Sequence, residues 1–335
     1  SRLIIVIPKG GYVPVFEPRG SHAPALTAET APNSSPTLVP SPVDVPKPRR
    51  RFITLIVSSA VVLTLLLASA LVYFRASGSS SQFAADHLWS QLFIPTRPVL
   101  IVPSDDALVL FQEYTKTPVQ LDDYLSGTYL TKATLPTSNG VPLSAEWFAS
   151  HQYTSSADLN LALRLGRLPQ AIKSDVETRN ARVLRIDDLK SRNVILIGGI
   201  GANPWISLFR NRLNFDVNWD WKASEGYVVN KHPAQGESVI YHDNLSDGSR
   251  RSYGVLAFLP GIEGNGEALL FQGTGMAGTE SASDFPFSSV AFNNFARTIG
   301  ATRDHIPYFE VLLETLSVGG NAPEARVIAY RLIQR

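Results

Sequence analysis

The longest apolar run of the chain extends from Phe52 to Phe74 and contains no Asp, Glu, Lys, Arg or His. As an α-helix it would reach roughly 34 Å, and the hydrocarbon core of a bilayer is about 30 Å thick. A buried core helix of this length would show a polar face, and a signal peptide would have a shorter apolar region nearer the N-terminus. The pattern therefore predicts one transmembrane helix over 52–74.

Beyond residue 95, short apolar runs alternate with amphipathic stretches. The runs Val99–Val102 and Val194–Ile197 are apolar throughout, which is typical of strands buried on both faces. Helices are predicted at 107–114, 121–130, 155–168 and 289–299, and Ser155 has the character of a helix N-cap. Further strands are predicted at 183–186, 214–219, 227–230, 238–242, 253–259 and 267–272, and a terminal hairpin at 308–316 and 326–333.

These elements predict an α/β fold class for residues 96–335. We expect a mixed, partly parallel sheet with flanking helices and a C-terminal antiparallel hairpin, preceded by the transmembrane helix. The remaining segments are predicted as the end of a truncated module (1–19), a Pro-rich linker (20–51) and a juxtamembrane linker (75–95). No internal repeat is visible in the sequence.

Charges around the apolar run predict its orientation. Four basic residues lie between 47 and 51, whereas only Arg75 follows the run closely. The positive-inside rule places the N-terminus in the cytoplasm and the large domain outside it, anchored in the lipid bilayer of a bacterial inner membrane. Small residues at Ala60, Thr64 and Ala68 would let two such helices approach, so a homodimer is one expectation.

Composition narrows the functional classes. The formal net charge of +1 gives no global attraction to nucleic acid, and the chain contains no cysteine. An exported domain without disulfides must be stabilised by its core alone, and about 240 residues can bury enough surface for that.

The first 19 residues contain two extended runs, 2–7 and 12–16, separated by the turn Pro8–Gly11. This pattern predicts one β-hairpin. The stretch IIVIPKGGYVPVFEPR resembles the end of a small cytoplasmic module of acidobacterial-type membrane-anchored regulators, with the motif PKGxYVPVF. The resemblance implies a regulatory, DNA-binding module upstream of Ser1, so DNA is a partner only through residues outside this chain. A plain hairpin without a partner is the alternative.

A glycine-rich loop, Gly198–Asn203, directly follows the strand 194–197. Asn203 suits a helix N-cap and Pro204 a first helical position, and free N–H groups at a helix start attract anions. Ligands of open α/β sheets settle at the carboxyl ends of strands. The loop therefore predicts a site for a small anionic solute, and the alternative is a tight strand–helix connection with nothing bound.

A second loop, Gly273–Glu280, follows the predicted strand 267–272. Its glycines fit GxGxxG formally, but the loop lies late in the domain and no acidic strand end follows, so we exclude a dinucleotide site. If the parallel strands are neighbours, both glycine loops and the residues after strand 99–102 would line one pocket. The predicted ligand-binding residues are Ser104, Asp105, Gly199, Gly201, Asn203, Gly273, Thr274, Gly275, Thr279 and Glu280.

The sequence contains few residue patterns that are typical of catalytic or metal-binding sites. The six histidines lack metal-ligand spacing, and there is no GxSxG motif. We therefore predict no catalytic residue, no metal and no cofactor. Carboxylates that could pair as acid and base are Glu237, Asp243, Asp247 and Glu280. Three tryptophans, Trp205, Trp219 and Trp221, are more typical of packing than of a ligand platform.

The large domain also resembles the extracytoplasmic part of uncharacterised bacterial proteins with the pattern NVILIGxxxxNPWxxLFxxxLNF followed by GTxMxGTE. Residues 193–215 and 273–280 carry this resemblance, which implies a shared fold and no particular activity. Together the features predict a membrane-anchored domain that senses a small solute and signals to a cytoplasmic module. An anchored hydrolase and a protein-interaction domain are the alternatives.

Overall fold

The computed structural model describes residues 3–6, 15–18, 69, 83–132, 144–244, 250–302, 305–316 and 325–334. The chain divides into two compact units, Ser1–Leu63 and Thr64–Arg335. Apart from Ser69, the predicted span 52–74 lies outside the described residues, as do the linker 20–51, the small-residue stripe and residues 75–82. The rest of the predicted juxtamembrane linker, 83–95, is described and contains a helix at Phe83–Leu92. Among the described residues, no helix is long and apolar enough to cross a membrane.

The first unit contains two strands, β1 (Leu3–Val6) and β2 (Val15–Pro18). They pair antiparallel, with Leu3 opposite Pro18 and Val6 opposite Val15. The pairing agrees with the predicted hairpin, although its second strand begins and ends later than the run 12–16.

The second unit is built on two sheets. Its strands, in chain order, are β3 (Val99–Val102), β4 (Val176–Thr178), β5 (Asn193–Ile197), β6 (Phe215–Asp220), β7 (Glu225–Asn230), β8 (Ile240–His242), β9 (Arg251–Pro260), β10 (Glu267–Gly273), β11 (Phe309–Leu316) and β12 (Arg326–Leu332).

Helices pack around these sheets. The α-helices are α1 (Phe83–Leu92), α2 (Asp106–Thr115), α3 (Leu121–Ser126), α4 (Tyr129–Lys132), α5 (Ala145–Ser150), α6 (Ser156–Gly166), α7 (Pro169–Ile172), α8 (Ile186–Ser191), α9 (Met276–Asp284) and α10 (Ser289–Thr298). Short 3₁₀ helices occur at Ala181–Val183, Pro204–Leu208, Arg210–Arg212, Ile262–Gly264 and Phe285–Phe287.

The larger sheet has the strand order β12-β11-β9-β10-β5-β3-β4. Strands β4, β3, β5 and β10 run parallel to one another, whereas β9, β11 and β12 are added beyond β10 by antiparallel pairing. The predicted mixed, partly parallel sheet with flanking helices and a C-terminal antiparallel hairpin is therefore confirmed. Strand β5 is buried along its whole length, as its uninterrupted apolar sequence predicts.

Both faces of the larger sheet are covered, which explains the apolar runs. Ile195 and Phe271 face a core formed with α1, α6 and α10. Leu196 and Leu270, the immediate neighbours of these two residues in their strands, face a second core formed with α2 and Trp205. Helices therefore cover both faces of the central strands β3, β5 and β10.

The predicted strand 183–186 is wrong. Its residues form the end of the 3₁₀ helix Ala181–Val183 and the start of α8. The Asn180 side chain accepts a hydrogen bond from the Arg182 backbone N–H, which stabilises a helical turn there. The true edge strand, β4, is only three residues long, too short to show a period. The predicted helix 121–130 divides at Gly127, which ends α3 with φ of 70°.

The smaller sheet is an antiparallel meander in the order β6-β7-β8. Val217 and Val228 pack against Tyr253 and Val255 of the larger sheet. A Cβ atom on Gly226 would lie only 2.2 Å from the carbonyl oxygen of Thr274, directly after β10. The meander therefore packs closely over the carboxyl end of the central strands.

Candidate functional site

The carboxyl ends of β3, β5 and β10 meet at a single cavity of about 670 Å³. Ser104 follows β3, Gly199 follows β5, and Gly275 follows β10. A Cβ atom on Gly199 would lie 3.3 Å from the carbonyl oxygen of Gly273, so the two glycine loops touch. The predicted convergence of these loops is confirmed, because three parallel neighbours share one carboxyl edge.

Most of the predicted site residues line this cavity. Those that do are Ser104, Gly199, Gly201, Gly273, Thr274, Gly275 and Thr279. Asp105 and Asn203 are fully buried and absent from the lining. Glu280 lines a separate groove with Arg164 and Asp284, because successive helical residues point about 100° apart and α9 presents Thr279 to the cavity.

The first loop needs glycine at two positions for different reasons. Gly198 has φ of 99°, and a Cβ atom there would lie 3.1 Å from the Ser104 Cβ. Gly201 lies against an indole, because its Cβ would be 2.7 Å from Trp221 Cζ2. One glycine lets the chain turn at the strand end, and the other makes room for a cavity wall.

The glycines of the second loop serve helix–sheet packing. A Cβ on Gly273 would lie 2.1 Å from the Thr279 nitrogen, and one on Gly278 would lie 2.1 Å from the Tyr253 carbonyl oxygen. On β9, a Cβ on Gly254 would lie 2.4 Å from the Gly278 carbonyl oxygen. The GxGxxG pattern therefore reflects the close approach of α9 to β9 and β10.

Asn203 stands at a helix start, as predicted, but its side chain does not cap the helix. Its Nδ2 instead donates hydrogen bonds to the carbonyl oxygens of Val102 and Ile197, each at 3.1 Å. Asn203 thus joins the carboxyl ends of β3 and β5 behind the cavity. The prediction of an N-cap side chain is wrong, because two buried strand carbonyls compete successfully for the amide.

Replacing Asn203 with alanine is expected to lower the free energy of unfolding by about 2–4 kcal/mol, because two buried carbonyl groups lose their donor. Asn180→Ala is the matched control. The Asn180 side chain does cap a helical turn, with an expected cost of about 1 kcal/mol. Urea unfolding followed by tryptophan fluorescence would measure both. Equal losses in the two variants would contradict the bridging role of Asn203.

Asp105 belongs to a buried ion pair behind the site. It caps α2 by accepting from the Leu108 N–H at 3.2 Å, and it accepts from the Tyr124 hydroxyl at 2.9 Å. The Arg182 guanidinium donates to both of its oxygens, from Nε and from Nη2. Arg182 also donates to the Phe148 carbonyl oxygen at 2.6 Å. The Asp105–Arg182 pair therefore holds α2 and the last turn of α5 in place, and the Asp105 carboxylate is already fully engaged.

Two other carboxyl groups line the cavity, those of Asp106 and Asp158, and neither is among the site residues predicted from the sequence. Ser104 Oγ donates to Asp106 Oδ1 at 2.8 Å. Asp158 accepts from the Ser104 N–H at 2.7 Å and from Ser155 Oγ at 2.6 Å. The predicted Ser155 N-cap and the acidic residues after β3 were the available signals, since first-turn acids stabilise helix starts.

Burial raises the pKa of Asp106 to about 6, and its neighbours Asp158 and Asp105 act in the same direction while the Ser104 hydrogen bond opposes them. A third carboxyl group of the lining, Glu113, pairs with Lys116. No Lys, Arg or His of the described residues lines the cavity. These charges do not favour the anionic solute expected from the sequence.

Asp106→Asn should change how stability depends on pH. Between about pH 4 and pH 6, folded wild-type protein keeps a proton that the unfolded chain releases, so its unfolding free energy falls as pH rises. The pKa difference corresponds to at most about 3 kcal/mol, and solvent screening of this partly exposed carboxyl reduces it to about 1–2 kcal/mol. Relative to wild type, the variant should gain that amount between about pH 4 and pH 8. Urea unfolding across this range would test it, and a constant difference would contradict it.

The outer wall of the cavity comes from the smaller sheet. Val217, Trp219 and Trp221 line it, and the two indole centroids are 6.0 Å apart. Trp205 lies elsewhere, fully buried, with its Nε1 donating to the Ala181 carbonyl oxygen at 2.8 Å. The three tryptophans therefore divide, one into the core and two onto the cavity.

The carboxylates considered for hydrolysis do not gather at the cavity. Glu237 pairs with Arg331, which lowers the pKa of Glu237 to about 2. Asp243 accepts from Thr274 Oγ1 and Ser252 Oγ, and burial raises its pKa to about 6. Neither lines the cavity, and Asp247 lies outside the described residues. Within the described ranges there is no group of three or more His, Asp or Glu residues able to hold a metal ion.

No protein-family model matches the chain, and no curated protein is detectably similar to it.

Proposed function

We propose that the α/β domain binds a small solute in the cavity at the carboxyl edge of β3, β5 and β10. The cavity itself carries this proposal. Its volume of about 670 Å³ lies within the range of small-molecule sites, and apolar walls with a few convergent polar groups are typical of such sites.

The combination of apolar and polar residues in the cavity lining supports solute binding. Val109, Ile200 and Val217 offer apolar surface, whereas Ser104 and Asp106 offer polar atoms that can fix a solute's orientation. These groups follow buried strands or lie on helices, so the site is largely preformed. A preformed site binds with less ordering cost than a flexible one.

In full, we propose that the protein is a sensor. Binding of the solute would be signalled through the predicted transmembrane segment 52–74 to a cytoplasmic module, as predicted from the sequence. An anchored hydrolase is less well supported. It would have to use Asp106 and Asp158, and the described lining offers no His or Lys to complete a relay with Ser104.

Binding can be tested with the neutral apolar dye Nile red. Wild-type protein should show saturable fluorescence enhancement with one dye per chain. Val109→Trp and Ile200→Trp should abolish it, because each places a larger side chain against the cavity. Ile172→Trp is the control, since Ile172 is 75% exposed on α7 and does not line the cavity.

Equal dye binding by wild type and both cavity variants would locate the dye elsewhere and overturn the proposal. Unfolding midpoints of all four proteins would show that lost binding does not reflect unfolding.

A further inference from the structure

Three carboxyl groups line the cavity. Glu113 pairs with Lys116, but Asp106 and Asp158 are not neutralised by described basic side chains. Asp158 is 2% exposed and Asp106 partly exposed, and neither forms an ion pair with a described Lys or Arg. Ser104 donates to one oxygen of Asp106, and no described residue donates to the other. The neighbouring Asp105, by contrast, is neutralised by Arg182. The floor of the cavity therefore carries net negative charge together with a free acceptor oxygen.

Aromatic rings lie on the same cavity. Trp219 and Trp221 line it from the smaller sheet, and Tyr153, which is 42% exposed, lines it near its opening. Contact with Gly201 holds the Trp221 indole in position. The faces of aromatic rings attract cations, and tryptophan does so most strongly.

The starts of three helices contribute partial positive charge at the cavity. The N-termini of α2, α6 and α9 adjoin the cavity, and each carries a partial positive charge of roughly half an elementary charge. The starts of α2 and α6 lie beside the first-turn acids Asp106 and Asp158, whose side chains carry the opposite charge. Only α9 begins without a side-chain cap. A full carboxylate charge with a free oxygen outweighs one partial charge, so the balance favours a cation.

We infer that the solute is an organic cation, an amine with an apolar or aromatic body. Its ammonium group donates to Asp106, and its body packs against Trp219 and Trp221. This inference rests on the proposed solute-binding function and adds the chemical class of the solute.

The test uses three probes with one body and different ends: phenylpropylamine, phenylpropanol and phenylpropanoate. Calorimetric titration at about pH 8 should show the amine binding at least about tenfold more tightly than the alcohol, because charge-assisted hydrogen bonds are stronger than neutral ones. Phenylpropanoate should bind most weakly. Asp106→Asn should lower amine affinity about tenfold and alcohol affinity by much less, because only the amine loses a pairing of opposite full charges.

Asp187→Asn is the matched control, because Asp187 is exposed on α8 and away from the cavity. Unfolding measurements on Asp106→Asn show whether that variant is folded. Equal affinities for amine and alcohol, tightest binding of the carboxylate, or an Asp106→Asn variant that binds the amine as wild type does would each overturn the inference. None of these three results would affect Nile red binding, so the proposed solute-binding function would be retained. Failure of every probe and of Nile red would overturn the proposed function itself.

Discussion

Gly278→Ala is expected to destabilise the domain by about 3 kcal/mol or more, one of the largest effects of any single methyl group in this chain. A Cβ atom there would lie 2.1 Å from the Tyr253 carbonyl oxygen and 3.1 Å from the Gly273 Cα. Both contacts are backbone, so no side chain can rotate to relieve them. Helix α9 would have to move away from β9 and β10, and the Gly273–Gly275 wall of the cavity would move with it. The urea midpoint of unfolding and Nile red binding would measure these two consequences.

Gly166→Ala is the matched control. Gly166 ends α6, and a Cβ atom there would meet nothing within 4 Å. Alanine is the better helix former, so stability should stay constant or rise by up to about 1 kcal/mol. If Gly278→Ala were as well tolerated as Gly166→Ala, the close packing of α9 on the sheet would be refuted.

Arg182→Leu is expected to cost about 3–5 kcal/mol, because it leaves the fully buried carboxylate of Asp105 without its cation. The same substitution removes the donor to the Phe148 carbonyl oxygen, which loosens the last turn of α5. Since Asp105 also caps α2, the position of Asp106 in the cavity should be disturbed. Urea unfolding would report the stability loss, and phenylpropylamine titration would report the effect on the site.

Two controls separate burial from loss of charge. Lys190→Met breaks the exposed pair between Lys190 and Glu263 and should cost less than about 1 kcal/mol. Adding Asp105→Asn to Arg182→Leu should recover part of the loss, because the uncompensated charge is removed. A loss in Arg182→Leu as small as that in Lys190→Met would show that Asp105 is not paired as described.

The pattern of apolar residues was sufficient for the main architecture. Uninterrupted apolar runs identified β3, β5 and β10. The loops after them were predicted to meet on the condition that these strands are parallel neighbours, and the structure meets that condition. Under that condition, the convergence of Gly199 and Gly275 on one cavity could be predicted without coordinates. Local backbone rules also located Ser155 at a helix start, where its side chain accepts from the Asp158 N–H at 3.1 Å.

The chemistry at that edge depended on partners that are distant in the sequence. Asn203 was expected to cap a helix from its neighbours in the chain, yet it binds the carbonyl of Val102, 101 residues away. Asp105 was expected at the site, but its carboxylate is buried and pairs with Arg182, 77 residues away.

The sequence by itself therefore determined the strand cores and the glycine-rich turns, because these follow from local periodicity and backbone freedom. The parallel neighbouring of β3, β5 and β10, which gives their loops a common edge, was decided by the tertiary structure. Only the tertiary structure decided which side chains face the cavity. Trp219 and Trp221 reach it because the meander β6–β8 packs over the end of β10 through Gly226. Glu280 points away from the cavity because α9, which begins at Met276, presents Thr279 to the cavity instead. Hydrogen bonds, ion pairs and burial join residues through space, and no local pattern in the chain encodes those pairings.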